Sequence, residues 1–240
     1  MIPAFTRYRS ASPGGDPYFS SVGILLHGEG ANGGTVFTDS SSVAHTNIAL
    51  TGNVVTSTAQ AKFGASSLKF AGTQSGSGTN EAWLDVPGDA SLSFGTGDFT
   101  IELWFYQNAT GTSGYLIDCR PSGTNGGYAT LMVESNAVNY VVNGSYVIVS
   151  TTNPAVGAWH HAAVVRQSGV TRMYLDGSAM GSPYSDATNY VANARLRIGA
   201  SGAAGAYSLN GYIDELRVTK GVARYTGNFT PPTAAFPDHA

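Results

Sequence analysis

The chain has 240 residues, a formal net charge of -3 and charged side chains at only 11% of its positions. It contains no Lys/Arg run, so the sequence offers no basic surface for DNA or RNA and predicts no nucleic-acid partner. Its 31 glycines and many Ser, Thr and Asn residues favour short strands joined by polar turns over amphipathic helices. The length suits one all-β domain.

Targeting and covalent features are few. A lone cysteine, Cys119, excludes an internal disulfide and a cysteine-based zinc site of the usual spacing. The N-terminus has no apolar core of signal-peptide length, and no run of about 18 apolar residues occurs elsewhere. We therefore expect a chain that is made and folded in a cytoplasm, without a signal peptide and without membrane insertion.

The first 20 residues are rich in Pro, Gly and aromatic residues and show no hydrophobic period. Pro and Gly remove ladder donors or weaken strands, while aromatic rings offer contact area. Residues 1–20 are thus predicted to form an extended N-terminal arm that docks on sister subunits or a larger particle. A floppy terminus is the alternative.

A glycine-rich loop, residues 28–34, follows the short apolar strand Val22–Leu26 and matches the spacing G-x-G-x-x-G. That motif binds dinucleotides only where it opens a helix, and the β-branched residues after Gly34 do not favour one. The glycines instead predict a tight loop whose carbonyl groups and Glu29 face a cation.

From about residue 54 onward, strand-sized segments recur between turn signals. Strict alternation gives one of them, residues 99–106, a purely apolar face and an opposite face that carries Glu102, Trp104 and Tyr106 and is open to a ligand. About eleven strands and no convincing helix predict a two-sheet antiparallel sandwich over residues 21–232, followed by a short tail, 233–240.

The last strand-like segment, residues 210–218, carries an acidic pair in an apolar run. On strict alternation Asp214 shares a face with Leu216 and Val218, so its carboxylate is predicted to lie among buried side chains. A buried carboxylate without a partner is strongly destabilising, so Asp214 needs a cation, an Arg or a set of backbone donors.

Several of these segments together resemble the laminin G-like, concanavalin A-like lectin/glucanase family. In chain order they are residues 25–30, Phe37–Ser41, Lys62–Phe70, Phe94–Trp104, Trp159–Arg166, Tyr174–Gly177 and Gly211–Val218. The resemblance covers about residues 22–232 and implies an all-β jelly-roll sandwich with two antiparallel sheets.

Many members of this family bind calcium at the sandwich edge, through an early acidic loop and an Asp of the last strand. Carried over to this sequence, the resemblance implies a structural Ca²⁺ on Asp214, with Glu29 or its loop carbonyls, and on Asp39. Backbone carbonyls and waters would complete the six to eight oxygen ligands that calcium takes. A structural Asp214 held by backbone donors alone is the alternative.

Catalysis is not expected. Glucanases of this family carry a Glu-x-Asp-x-x-Glu strand, whose outer carboxylates lie about 5 to 5.5 Å apart in retaining enzymes. None of the five glutamates has this spacing, and no G-x-S-x-G elbow occurs. His160 and His161 point to opposite faces of a strand and cannot chelate one ion together. A glycoside hydrolase on the same fold is the alternative.

The closing segment, Gly221–Tyr225 followed by Phe229–Pro232, resembles versions of this domain in bacteriophage virion proteins. This implies a non-catalytic virion component, homo-oligomeric and held to other virion proteins by the arm, that decorates the particle or adheres to surface glycans. A bacterial surface adhesin is the alternative. Aromatic faces stack on sugars and amides bond their hydroxyls, and the candidates are Trp104, Tyr106, Tyr128, Asn139 and Tyr140.

Overall fold

The computed structural model describes residues 14–74, 76, 80–109, 113–191 and 195–240, so the predicted arm is described only from Gly14 onward. This part of the chain contains fifteen strands, two 3-10 turns and no helix long and apolar enough to cross a membrane. The strands are β1 (Val22–Leu26), β2 (Ala49–Thr51), β3 (Val54–Ser57), β4 (Ser67–Ala71), β5 (Trp83–Pro87), β6 (Phe99–Gln107), β7 (Ser113–Asp118), β8 (Thr130–Glu134), β9 (Ala137–Val142), β10 (Ser145–Val149), β11 (Trp159–Gln167), β12 (Val170–Leu175), β13 (Ser178–Ser185), β14 (Arg195–Ile198) and β15 (Asn210–Lys220).

The strands form two antiparallel sheets. The eight-stranded sheet has the order β13-β12-β11-β6-β15-β4-β3, and β1 pairs with the second half of β15 beside β4. The seven-stranded sheet has the order β10-β9-β8-β7-β14-β5-β2. The predicted all-β sandwich is therefore confirmed.

The core lies between the inner faces of the two sheets. On β6 the alternation works as predicted, because Phe99, Ile101, Leu103 and Phe105 are all fully buried in the main apolar cluster. The seven-stranded sheet meets them with residues such as Leu131 and other apolar side chains of its inner face. The periodicity of β6 thus decides which of its side chains face outward: Glu102, Trp104 and Tyr106.

The last strand, β15, departs from strict alternation. Ile213, Leu216 and Val218 lie in the core, whereas Asp214 pairs with Trp104 and so shares its outer face. The register with β6 shifts between Asp214 and Arg217, and Glu215 has a φ of 51°. The prediction that Asp214 shares a face with Leu216 and Val218 is wrong, because this β-bulge inserts one residue and reverses the alternation.

The outer face of the eight-stranded sheet is largely covered by the C-terminal strap, residues 221–240. Within the strap, Tyr225 and Phe229 stack with ring centroids 3.6 Å apart and pack against Tyr174 and His161 of the sheet. The open face predicted around Glu102 is therefore wrong: Glu102 is fully buried beneath the strap. The tail predicted at residues 233–240 is the end of the same strap, and its Phe236 packs into a small apolar cluster beside β1.

A buried ionic network holds the strap to the sheet. Glu102 accepts hydrogen bonds from Arg217 at 2.9 and 2.7 Å and from the hydroxyl of Tyr225 at 2.6 Å. Burial alone would raise the pKa of Glu102, but the charge of Arg217, together with the contributions of His161 and Tyr225, outweighs it and holds that pKa far below its usual range. Asp16 bridges Arg217 to Arg224 of the strap, at 3.2 and 2.7 Å.

The described end of the predicted arm belongs to the sandwich as well. Asp16 is buried in this network, and its backbone N–H donates to the carbonyl of His239 at 2.7 Å. Phe19 packs beside Phe236 and β1. The network therefore fastens both ends of the described chain to one place on the sheet.

Removing one charge from this network should destabilise the fold. Glu102→Gln leaves Arg217 buried without its main counterion, and we expect a loss of about 3 kcal/mol in the free energy of unfolding in urea. Tyr225→Phe keeps the ring stack and removes one hydrogen bond to the carboxylate, so it should cost about 1.5 kcal/mol. A Glu102→Gln variant as stable as the wild type would contradict the network's role.

Candidate functional site

An aromatic row crosses the outer face of the eight-stranded sheet beyond the strap. Tyr212 of β15, Tyr106 of β6 and Trp159 of β11 are direct neighbours in register. Their ring centroids are 5.6 Å (Tyr212 to Tyr106) and 5.7 Å (Tyr106 to Trp159) apart. Tyr106 and Trp159 are half-buried, with part of each side chain in solvent, whereas Tyr212 is only 6% exposed and packs edge-on against Tyr106. The strap packs one row farther along, against His161. We call Tyr212, Tyr106 and Trp159 the aromatic row.

Hydrogen-bonding groups border the row. Lys69 of β4 pairs with Tyr212 in register. At the end of β6 the side-chain amide of exposed Asn108 donates to the side-chain carbonyl of Asn210, at 2.9 Å. Amides and an ammonium group beside aromatic rings are the combination that binds sugar hydroxyls.

Trp104, predicted to contact a sugar, lies in the next row and is sealed. Only 5% of it is exposed. The ammonium group of Lys62 lies 3.9 Å from the centre of its ring, and Phe63 packs against it edge-on. His161 occupies a third side, 5.1 Å away between centroids. No ring face of Trp104 is left for a ligand.

The other three predicted sugar contacts are not brought to the row. Tyr140 is fully buried in the core and donates its hydroxyl to that of Tyr190 at 3.0 Å. Asn139 is buried on β9, in the other sheet, and Tyr128 is half-buried in the loop before β8. Of the five residues, Tyr106 alone is in the row.

Below the row, two carboxylates hold one loop, residues 62–66. Asp214 accepts hydrogen bonds from the backbone N–H groups of Lys62 and Phe63, at 2.7 and 3.2 Å. Glu29 accepts from the N–H of Ala65 at 3.0 Å. A Cβ atom on residue 64 would fall 1.7 Å from the Glu29 carboxylate, and its φ is +66°, so glycine is required there. Backbone N–H groups thus bind one carboxylate oxygen of Asp214, as expected for a structural carboxylate held by backbone donors.

The bulge places Glu215 beside these groups. Its carboxylate contacts His27 at 2.8 Å and accepts from the backbone N–H of Phe236 at 2.7 Å. Burial first, and then the charge of Glu215, raise the pKa of Asp214 to about 8. Burial works to lower the pKa of His27, but the hydrogen bond and charge of Glu215 outweigh it and raise that pKa above its ordinary value.

The carboxylates expected to bind calcium fit that ion only in part. One oxygen of Asp214 is buried without a hydrogen-bond partner, which suits a cation. Asp39 does not fit, because its two oxygens already accept from the N–H groups of Leu25, Ser41 and His45, the Ser41 hydroxyl and the His45 ring. Among the described residues no group of three or more His, Cys, Asp or Glu side chains is placed to hold a metal. Calcium at Asp214 and Glu29 stays a prediction.

Comparison with known proteins agrees with this architecture. Residues 77–223 match the sequence profile of the concanavalin A-like lectin/glucanases superfamily, of the laminin G type. The chain belongs to this superfamily. Residues 224–240, most of the strap, lie outside the matched range. No curated protein matches the sequence.

Solved structures of this lectin-like fold include clostridial toxin domains. The binding domain of Paraclostridial mosquitocidal protein 1 has a TM-score of 0.63 at 13% identity, over 87% of this chain and 50% of that one. A botulinum neurotoxin type C structure, described with two ganglioside molecules, has a TM-score of 0.59 at 11% identity, over 85% of this chain and 49% of that one. The botulinum neurotoxin DC binding domain in complex with rat synaptotagmin II has a TM-score of 0.59 at 12% identity, over 85% of this chain and 49% of that one. The present chain spans about half the length of these proteins, and at such identities the likeness shows the fold alone.

The pKa of Asp214 predicts a specific dependence of stability on pH. With a folded pKa raised from 3.8 to about 8, Asp214 stays protonated in the folded lectin-like domain while the unfolded chain ionises. The stability that protonated Asp214 contributes to the fold is fully present below about pH 4 and is lost as the pH rises to about 8. In EGTA, the free energy of unfolding of Asp214→Asn, measured in urea, should therefore rise relative to that of the wild type by a few kcal/mol between about pH 4 and pH 8. A constant difference between the two would contradict the raised pKa.

Calcium binding has its own test on the same pair of proteins. Calcium bound at Asp214 should raise the wild-type melting temperature at pH 8, because the ion stabilises the folded carboxylate. Asp214→Asn should show a much smaller rise. Equal melting temperatures in calcium and in EGTA for the wild type would exclude a structural calcium ion.

Proposed function

We propose that this chain is a non-catalytic recognition domain that binds a carbohydrate through the aromatic row. The observation that carries the proposal is the register of Tyr212, Tyr106 and Trp159 on three adjacent strands, at the part of the sheet beyond the strap. Aromatic rings have few rotatable bonds, so they supply contact area to a ligand at low entropic cost. Their faces and edges stack on the apolar C–H faces of sugars.

The size of the row favours a short stretch of a glycan chain. Three neighbouring strands about 4.8 Å apart give the row a width of about 10 Å, of which the part on β6 and β11 is exposed. The buried Trp104 and its cover, Lys62 and Phe63, close the row on one side. A sugar chain would lie across the strands, with its hydroxyls toward Asn108 and Lys69.

Two carboxyl groups, those of Glu102 and Asp214, lie on the same sheet face. Their burial and their pKa values support binding without hydrolysis. Glu102, two rows from the aromatic row, is buried and paired with Arg217, so its depressed pKa is the opposite of what a general acid needs. Asp214 has a raised pKa but is fully buried beneath the loop of Lys62 and Phe63. Neither carboxyl group reaches solvent where a sugar would bind.

The proposed setting is a phage particle, with a bacterial surface as the alternative. Its support is the resemblance of Gly221–Pro232 to virion proteins, and those residues form the first half of the strap. The hydrogen bond between Asp16 and His239 brings the two ends of the described chain together. The predicted arm, whose residues 1–13 lie outside the described residues, would dock on other virion proteins or on sister subunits.

A purely structural subunit is the second candidate function, and deletion of residues 1–13 separates the two. The deletion leaves Asp16 and its network intact, so the domain should still fold. If the arm docks on sister subunits, light scattering should detect a multimer for the full chain and a monomer for the deletion. A full chain that is already monomeric would contradict self-assembly through the arm. Glycan binding that is the same for both would favour recognition over a structural role.

Substitutions in the row test glycan binding directly. On a glycan array, followed by calorimetry with the best oligosaccharide, Trp159→Ala and Tyr106→Ala should each weaken binding about fivefold to tenfold, since one stacked ring contributes about 1 to 1.4 kcal/mol. Tyr18→Ala is the matched control: Tyr18 is 47% exposed but lies beside Arg224 of the strap. Unchanged affinity in both row variants would overturn the proposed site. Release of reducing sugar from the bound glycan would overturn the non-catalytic assignment.

A further inference from the structure

A second exposed ring lies on the opposite sheet, where it bridges three strands. Tyr146 is on the edge strand β10, and its hydroxyl donates to Glu134 of β8 at 2.6 Å. In register, Tyr146 pairs with Val141 of β9, which pairs with Thr130 of β8. Glu134 lies four residues beyond Thr130, about 13 Å along that strand. The two side chains can meet only if both lie along the sheet, over β9.

The residues along this path are buried, as a side chain lying over them requires. Met132 and Asn139 pair with each other midway between the two ends of the bridge and face outward. They are nevertheless only 2% and 3% exposed. The side chain of Tyr146 thus rests on the sheet with an apolar floor to which Met132 and Val141 contribute, while 50% of the residue remains in solvent.

The ring is also held in place. The second oxygen of Glu134 accepts a hydrogen bond from Ser113 at 2.9 Å, so the anchor itself is fixed. The hydrogen bond to Glu134 raises the pKa of Tyr146 to about 12, which keeps the phenol neutral and donating. A side chain that must be immobilised on binding costs about 0.5 to 1.5 kcal/mol. Tyr146 avoids most of that cost, because the bridge orders it in advance.

Charge around the ring selects against acidic ligands. Glu134 places a carboxylate at the hydroxyl end of the ring. The guanidinium of Arg120, which lies over the neighbouring Tyr115 ring, is already paired with Asp118 at 2.7 Å. An anionic sugar would meet the carboxylate of Glu134, and the described cation near the ring, Arg120, is already engaged by Asp118. An uncharged sugar would stack on the ring and donate a hydroxyl to the remaining lone pairs of Glu134.

We infer that the Tyr146–Glu134 bridge is a second carbohydrate-binding site, specific for an uncharged sugar ring. It lies on the outer face of the seven-stranded sheet, on the other side of the sandwich from the aromatic row. It does not depend on the row, and the domain can engage glycans through both faces.

The test uses a chain in which the row is silenced, Tyr106→Ala with Trp159→Ala, on an array of neutral and sialylated oligosaccharides. We expect this chain to retain binding to neutral glycans only. Adding Tyr146→Ala should reduce that binding at least tenfold, whereas adding Tyr146→Phe, which keeps the ring and loses the bridge, should reduce it about threefold. Melting temperatures of the variants check that each one folds.

Three outcomes would overturn this inference. They are no neutral-glycan binding by the row-silenced chain, residual binding that Tyr146→Ala leaves unchanged, and an equal loss in Tyr146→Phe and Tyr146→Ala. The result for the second site does not depend on whether the row binds a glycan. If the row binds nothing, its silencing changes no signal, and the effect of Tyr146→Ala still decides the second site.

Discussion

The β-bulge at Asp214 and Glu215 is the local constraint on which the outer face of the eight-stranded sheet depends. One extra residue in β15 reverses its alternation, which turns Asp214 toward the loop 62–66 and places Arg217 opposite Glu102. Glu215, in a left-handed backbone conformation, contacts the end of the strap at Phe236. Without the bulge, Arg217 would point into the apolar core and Glu102 would lose its main counterion. The bulge therefore determines how both the loop and the strap are held.

The strap in turn determines which part of the sheet can meet a ligand. It buries Glu102 and His161 under the stacked rings of Tyr225 and Phe229. Trp104 is closed from the other direction by Lys62 and Phe63. Along β6, the aromatic row is left at the far end of the face. A surface that looks continuous along β6 is thereby divided into a sealed ionic interior and a short aromatic platform, which suits recognition better than hydrolysis.

The sequence predicted the sandwich well, because one-face burial imposes a period of two on strands such as β6. It failed at β15, since a bulge leaves no mark on the alternation until the partner strand is known. It also placed Trp104 on an open face, because the loop of Lys62 and Phe63 that covers its ring lies about 40 residues earlier in the sequence. Tyr106 was found from alternation alone, whereas Trp159 and Tyr212 join it only through the strand order β15-β6-β11. Tyr140 was mistaken for a surface ring because nothing local distinguishes the two faces of β9.

The central claim is recognition through the aromatic row. Its most direct test is a two-dimensional NMR titration with a glycan that binds, followed at the indole N–H signals of the tryptophans. The chain has three tryptophans, and each occupies a different place: Trp159 in the row, Trp104 sealed beneath Lys62, and Trp83 on the other sheet against Arg197. The account predicts that the Trp159 signal shifts in proportion to saturation while those of Trp104 and Trp83 stay fixed. A glycan that saturates the protein without moving the Trp159 signal would contradict it.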